Sequence, residues 1–190
     1  MQEKDIETFY PTSKKDWRQW LKKNHGVKQC IWLIYYKKKV GIPTITWSEA
    51  VDEALCFGWI DSTAKPIDDE KYMQFFCKRK PTSAWSKINK AKVQQLTNEG
   101  LIMPAGYKSI ETAKQNGAWI ILDDVEALKI PKDLEKEFKT KKGSKMFFLS
   151  LSKSVQKMIL YRLVLAKRPE TRQKRISEIA ELLAKQLKPK

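Results

Sequence analysis

The segment QCIWLIYYKKK, residues 29–39, constrains this chain more than any other. Its β-branched and aromatic side chains fall on odd and even positions alike, so the run reads as a strand covered on both faces. Such a strand needs partners. WIDSTAK at 59–65 and KYMQFFCKRK at 71–80 are two further short strands, and the turn-forming PIDDE between them predicts a hairpin. A helix over 13–24 precedes the first strand, with Ser13 and Asp16 as a capping pair and Trp17, Trp20 and Leu21 on one face. TWSEAVDEALCFG supplies the next helix, opened by a Thr46/Glu49 capping box. It carries Trp47, Ala50, Val51, Ala54 and Leu55 on one stripe, and Gly58 is its positive-φ cap.

After Pro81 the periodicity is helical. Helices are expected near 86–99 and 104–116, followed by a loop through GAWIILDDVEALKI, a helix opened by Pro131, the short SKMFFLSLS, and two longer helices at 152–166 and 169–187. The expected fold class is α+β: an N-terminal part with a small sheet of about three strands covered by helices, then an all-helical C-terminal part. The expected domains are 1–125, α+β, and 126–190, basic, helical and packed on the first.

Several function classes are excluded by residue type. One histidine and three separated cysteines give no zinc ligand set, and no second histidine serves a catalytic triad. His25, in KKNHG, is expected at a helix C-terminus, and Cys30, Cys56 and Cys77, each among large apolar residues, as buried free thiols. Seven glycines form no nucleotide-binding motif, so no cofactor and no metal are expected. No apolar run reaches the length of a membrane span, and MQEKDIETFY lacks the basic-then-apolar order of a leader, so a cytoplasmic location is expected.

Charge is uneven. Of the net +16, residues 139–190 contribute +12, from 15 basic and 3 acidic residues. In AKRPETRQKRI, residues 166–176, Arg168, Arg172, Lys174 and Arg175 crowd a helix N-terminus, where the dipole disfavours cations and only Glu170 is acidic. Arg172 shares a stripe with Ile176, Ile179 and Leu183, which points to either a structural bridge to a carboxylate such as Asp61 or Asp68, or an anion pocket. CKRKPTSAWSKINK, residues 77–90, interleaves cations with Trp85 and suits phosphates and bases. Trp85, Ile88, Val93 and Leu96 equally make a buried helix face, with Ser83 or Ser86 as its N-cap.

Together EALCFGWIDS, SAWSKINK, MPAGYKSIETAK and AKRPETRQKRI resemble the YdeI/OmpD-associated, or bacteriocin-protection, family, over about Tyr10 to Leu183. The family's pattern has a Pro-Arg pair, with a small polar residue before it, ahead of the SxWS stretch. Here Cys77 and Lys78 precede Arg79, whereas Arg79, Trp85, Ser86 and Asn89 match. The resemblance implies tolerance of cationic antimicrobial peptides and other stress, with no reaction attached. A strongly basic protein repels a cationic peptide, so such protection would be indirect.

Three molecular roles follow as expectations. The first is a non-enzymatic module whose pocket, near Trp59, Asp61, Arg79 and Trp85 and roofed by Arg172, with Ser86, Lys87, Asn89, Arg168 and Arg175 as further ligand-binding candidates, takes an anionic small molecule or an acidic protein segment. The second is nucleic-acid binding through the basic C-terminal helices. The third is an enzyme using Asp61 or Asp68 as acid/base with Arg79 stabilising an anion.

Overall fold

The computed structural model describes residues 6–189; Met1–Asp5 of the polar N-terminus and the final Lys190 lie outside them. The chain is α+β, with four strands and nine helices among the described residues. It divides into two compact units, Met1–Trp119 and Ile120–Lys190.

In the first unit the order is β1 (Thr8–Phe9), α1 (Lys14–Asn24), β2 (Cys30–Tyr36), α2 (Trp47–Cys56), β3 (Trp59–Pro66), β4 (Lys71–Lys78), α3 (Lys87–Asn98) and α4 (Pro104–Gln115). The sheet order is β1-β2-β4-β3. The expected β3–β4 hairpin forms, with a register irregularity between Asp61 and Ala64. Asp68 is its turn residue, accepting from the backbone N–H groups of Glu70 and Lys71. The sheet gains one strand over expectation. Two residues of β1 run parallel to β2, too short a stretch to leave a period-2 signal.

Both expected caps are present. Ser13 Oγ accepts from the Asp16 N–H, and Thr46 and Glu49 form a reciprocal capping box. Trp17 and Leu21 of α1 pack with Ala50, Val51, Ala54 and Leu55 of α2 in one core with Ile31, Leu33 and Tyr35 of β2. The Trp17 indole N–H donates to the Ala50 carbonyl at 3.0 Å, which satisfies its one polar atom within that core.

The strand expected to be covered on both faces is covered on one. Along β2 burial alternates, Ile31, Leu33 and Tyr35 being buried while Cys30, Trp32, Ile34 and Tyr36 are only half-buried. Aromatic residues on both faces do not require two covering layers, because cross-strand neighbours such as Trp32 and Phe75, with ring centroids 4.9 Å apart, shelter each other. Trp47 departs from its expected stripe too. It stands at the first residue of α2 and is 48% exposed, its indole reaching Asp61 instead of the core.

The second unit contains α5 (Asp123–Glu126), α6 (Lys132–Thr140), α7 (Ser144–Ser150), α8 (Lys153–Val164) and α9 (Pro169–Ala184). The short α5 lies inside the stretch read as a loop. Leu134, Phe138, Phe148, Ile159, Leu160, Leu163, Ile176, Ile179 and Leu183 are buried here, and the stripe of α9 is the expected one. Among the described residues no helix is long and apolar enough to cross a membrane.

Candidate anion-binding site

The site begins with two glycines. Gly58, after the end of α2, has φ +73°, and a Cβ there would lie 2.8 Å from the Ala105 carbonyl oxygen. At Gly106 a Cβ would lie 2.4 Å from the carbonyl oxygen of Cys56. Only glycine at both positions lets the backbone of α4 rest directly on the α2–β3 turn. The Met103 N–H seals this junction by donating to the Cys56 carbonyl at 2.9 Å.

That close approach creates a cleft of about 400 Å³. One wall is the α2–β3 turn, Phe57, Gly58 and Trp59; a second is the end of β4, Lys78 and Arg79, with Pro81 beyond it. A helical stripe of α4 forms the third, Ala105, Lys108, Ser109 and Thr112, and His25 and Gly26 close the end of α1. Among the described residues the lining holds three cationic side chains and a histidine and has no carboxylate. The volume suits a small molecule.

Arg79 is held unusually. Its guanidinium carbon stands 3.7 Å from the centre of the Trp85 ring, and Nη2 donates to the Ala84 carbonyl at 3.0 Å. Its backbone N–H is tied to the Gly58 carbonyl, but its Nε is buried without a partner. Burial pushes the side chain down to about 10, against the pull of Asp61 and Cys77, so it is still charged at neutral pH. The fully buried Trp59 beside it also has an indole N–H with no partner. Both donors belong to residues that line the cleft, and a buried donor left unpaired costs about 1–3 kcal/mol.

The other sequence candidates have different duties. Asp61 accepts from the Trp47 indole at 2.9 Å and from the Gln74 amide at 3.2 Å, joining α2, β3 and β4. Asp68 caps its turn. Ser86, not Ser83, is the N-cap of α3, accepting from the Asn89 N–H at 3.2 Å, with exposed Lys87 as the first helical residue. Trp85, Val93 and Leu96 are buried as a helix face would be, but Ile88, off the Val93–Leu96 stripe in the first turn, is 66% exposed. His25 caps α1 as expected, its ring bonded to the Leu21 carbonyl.

Arg172 has a carboxylate partner, Asp133, rather than Asp61 or Asp68. Nε and Nη2 grip both carboxylate oxygens at 2.6 and 3.0 Å, and Nη1 reaches the Leu163 carbonyl at 2.9 Å. Asp133 lies in the first turn of α6, a position that sequence spacing cannot associate with α9. Arg175 donates to the Arg162 carbonyl at 2.5 Å, and Arg168 is the exposed N-cap residue of α9. Of the candidates, Trp59 and Arg79 line one cleft and Trp85 supports it. His25, Lys78, Lys108, Ser109 and Thr112 were missed. The i, i+3, i+4, i+7 spacing of Ala105, Lys108, Ser109 and Thr112 was the available signal.

Family comparison divides the chain around the same boundary. Residues 9–109 match the model described as Domain of unknown function (DUF8412), and residues 127–186 match that of Bacteriocin-protection, YdeI or OmpD-Associated. The chain belongs to the DUF8412 family, whose model covers more than half of it, and its C-terminal residues match the YdeI/OmpD-associated model. The likeness to the latter was expected over Tyr10 to Leu183, but EALCFGWIDS and SAWSKINK lie in the DUF8412 match and only AKRPETRQKRI in the other. No curated protein and no solved structure matches the chain.

Proposed function

We propose that this bacteriocin-protection-related protein is a non-enzymatic binding module for a small organic anion, taken up in the cleft between Trp59 and Arg79. The observation that carries this reading is the pair of unpartnered buried donors, Trp59 Nε1–H and Arg79 Nε–H, on residues lining a cleft of cations that has no carboxylate among the described residues. An anionic head would accept from both as the cleft closes on it, while Lys78 and Lys108 balance its charge and Pro81 and Ala105 meet an apolar body. The Lys78 ammonium is already positioned by the Gly26 carbonyl at 2.9 Å. Asp61 acts in this reading as a brace: its two donors hold the start of β3, and Trp59 with it.

The basic C-terminal helices support a nucleic-acid role less well. Arg172 and Arg175 are engaged by Asp133 and by the Arg162 carbonyl, which leaves Lys167, Arg168 and Lys174 as exposed cations around the start of α9. Peptide protection would then follow indirectly from the bound anion or an acidic partner.

The test is a thermal-shift screen of phosphate, sulfate, aryl and alkyl phosphates, nucleotides and carboxylates. Saturation at a hundred times Kd stabilises by about 2.7 kcal/mol, a shift of several degrees. Trp59→Phe, which deletes the indole donor, should weaken the response. A wild-type protein indifferent to the entire panel would overturn the proposal.

A further inference from the structure

We infer that Cys30 and Cys77 form a redox-active dithiol that a hydroperoxide closes to an intramolecular disulfide. The two residues are direct partners across antiparallel β2 and β4. Neighbouring hydrogen bonds fix which kind of pair they make. Lys78 N–H donates to the Gln29 carbonyl at 3.0 Å, and at the far end Lys37 N–H donates to the Glu70 carbonyl at 2.7 Å. Hydrogen-bonded pairs alternate along an antiparallel ladder, so the pairs starting from Cys30, Trp32, Ile34 and Tyr36 are the non-hydrogen-bonded ones. Such pairs bring Cα atoms to about 4.5 Å, inside but at the short limit of the roughly 4.4–6.8 Å that a disulfide spans.

Both side chains leave the sheet on the same face, as the next pair along it, Trp32 and Phe75, shows by its ring contact. The Cys77 thiol is held above the usual thiol range by burial and then by its neighbour Cys30. Cys30 and Cys77 are half-buried, which corrects the expectation of buried thiols and leaves them within reach of a small oxidant. Cys56 is the buried one, its thiol pushed up to about 11 by burial and Glu53 against the pull of Arg18.

The chemistry balances with the peroxide as sole oxidant. One thiolate, Cys30 Sγ, attacks a peroxide oxygen; the O–O bond breaks, the leaving oxygen departs as hydroxide or alkoxide, and Cys30 becomes a sulfenic acid. Cys77 Sγ then attacks that sulfur, the S–O bond breaks, and the oxygen leaves as water with the thiol's proton. Two thiols have been oxidised by two electrons and one peroxide reduced. Thiol–disulfide exchange with a thiol reductant reverses the closure. Cys77 is followed directly by Lys78 and Arg79 of the cleft, which places the crosslink at the foot of its β4 wall. The inference stands whether or not the cleft binds an anion.

The experiment uses the full chain, reduced and then exposed to a few equivalents of hydrogen peroxide, trapped with an alkylating agent under denaturing conditions, and read by intact mass and non-reducing peptide mapping. The expected product has lost two hydrogens and takes up one alkyl group, at Cys56, with the Cys30 and Cys77 peptides joined until a dithiol reductant is added. Cys56→Ser should close equally well. Cys30→Ser and Cys77→Ser should each fail to close and gain oxygen instead. Wild-type protein that retains three alkylatable thiols, gains oxygen without linking, or links only between molecules would overturn the inference.

Discussion

Arg79 and Arg172 are both partly buried arginines, one in each unit, and they are bound in opposite ways. Arg172 spends its donors on protein acceptors: both oxygens of Asp133 and the Leu163 carbonyl. Arg79 has an aromatic ring beneath it, one carbonyl, a buried Nε without a partner and, among the described residues, no ion pair. Burial depresses the proton affinity of Arg79, whereas Arg172 instead depresses that of Asp133. A cation whose bonds are completed inside the fold stabilises it; a cation whose bonds are left incomplete stabilises whatever completes them.

All seven tryptophans lie at or before Trp119, so indole fluorescence reports on the first unit, while far-UV circular dichroism also follows the helices of the second. The largest effect is expected from Gly106→Ala. Its Cβ would meet Cys56 backbone atoms at 2.4 and 2.9 Å, which cannot move aside as a flexible side chain would. Denaturant titration should show a loss of about 3 kcal/mol in the fluorescence transition, together with loss of any anion response, because the α4 wall is displaced. A neutral substitution would mean that the cleft is not built on this contact.

Arg172→Ala comes next. It strands Asp133 and leaves the Leu163 carbonyl short of a donor; with both side chains partly in water, the expected loss is about 2 kcal/mol in the helical signal, with anion binding unchanged. Lost anion binding in this variant would erase the contrast between the two arginines.

The contrast also explains what could be read from the chain beforehand. Caps, the hairpin, the stripe of α9 and the α+β order were legible because each is encoded within a dozen neighbouring residues. Asp133 was not, since its bond to Arg172 spans 39 positions and depends on how α6 meets α9. The cleft was half legible. Trp59 and Arg79 flank features visible in the pattern, but Lys108, Ser109 and Thr112 acquire meaning only when Gly58 and Gly106 bring α4 onto the turn. β2 misled for a related reason: composition shows how apolar a face is, and only the packing shows whether anything covers it.

Acid provides a finer test of the same pair. The bond from Arg172 holds the Asp133 carboxyl below its ordinary range, so the folded state binds that proton less readily than the unfolded chain. The stabilisation is therefore complete above the unfolded value of about 3.9 and is lost as pH falls through the lower folded value. Wild-type protein should lose stability as pH falls below about 4, by a margin that shrinks in Arg172→Ala. Equal acid sensitivity in the two proteins would show that the pair contributes nothing to it.

The smallest effect on stability, and the most informative, is expected from Arg79→Met. Methionine keeps an unbranched stem over the Trp85 ring and removes the guanidinium. The lost cation–π contact and the bond to Ala84 amount to about 1–2 kcal/mol, and they are offset by relief from holding a charge where burial disfavours it and from leaving Nε unpaired. Stability should stay within about 1 kcal/mol of wild type, in either direction. Anion affinity should nevertheless fall at least about tenfold, since a charge-assisted bond is worth at least about 1.4 kcal/mol. Isothermal titration with whichever anion gives the largest thermal shift measures the second quantity, and denaturant titration of the same preparation the first. A variant that unfolds readily but binds normally would assign Arg79 the structural role that Arg172 plays in the other unit.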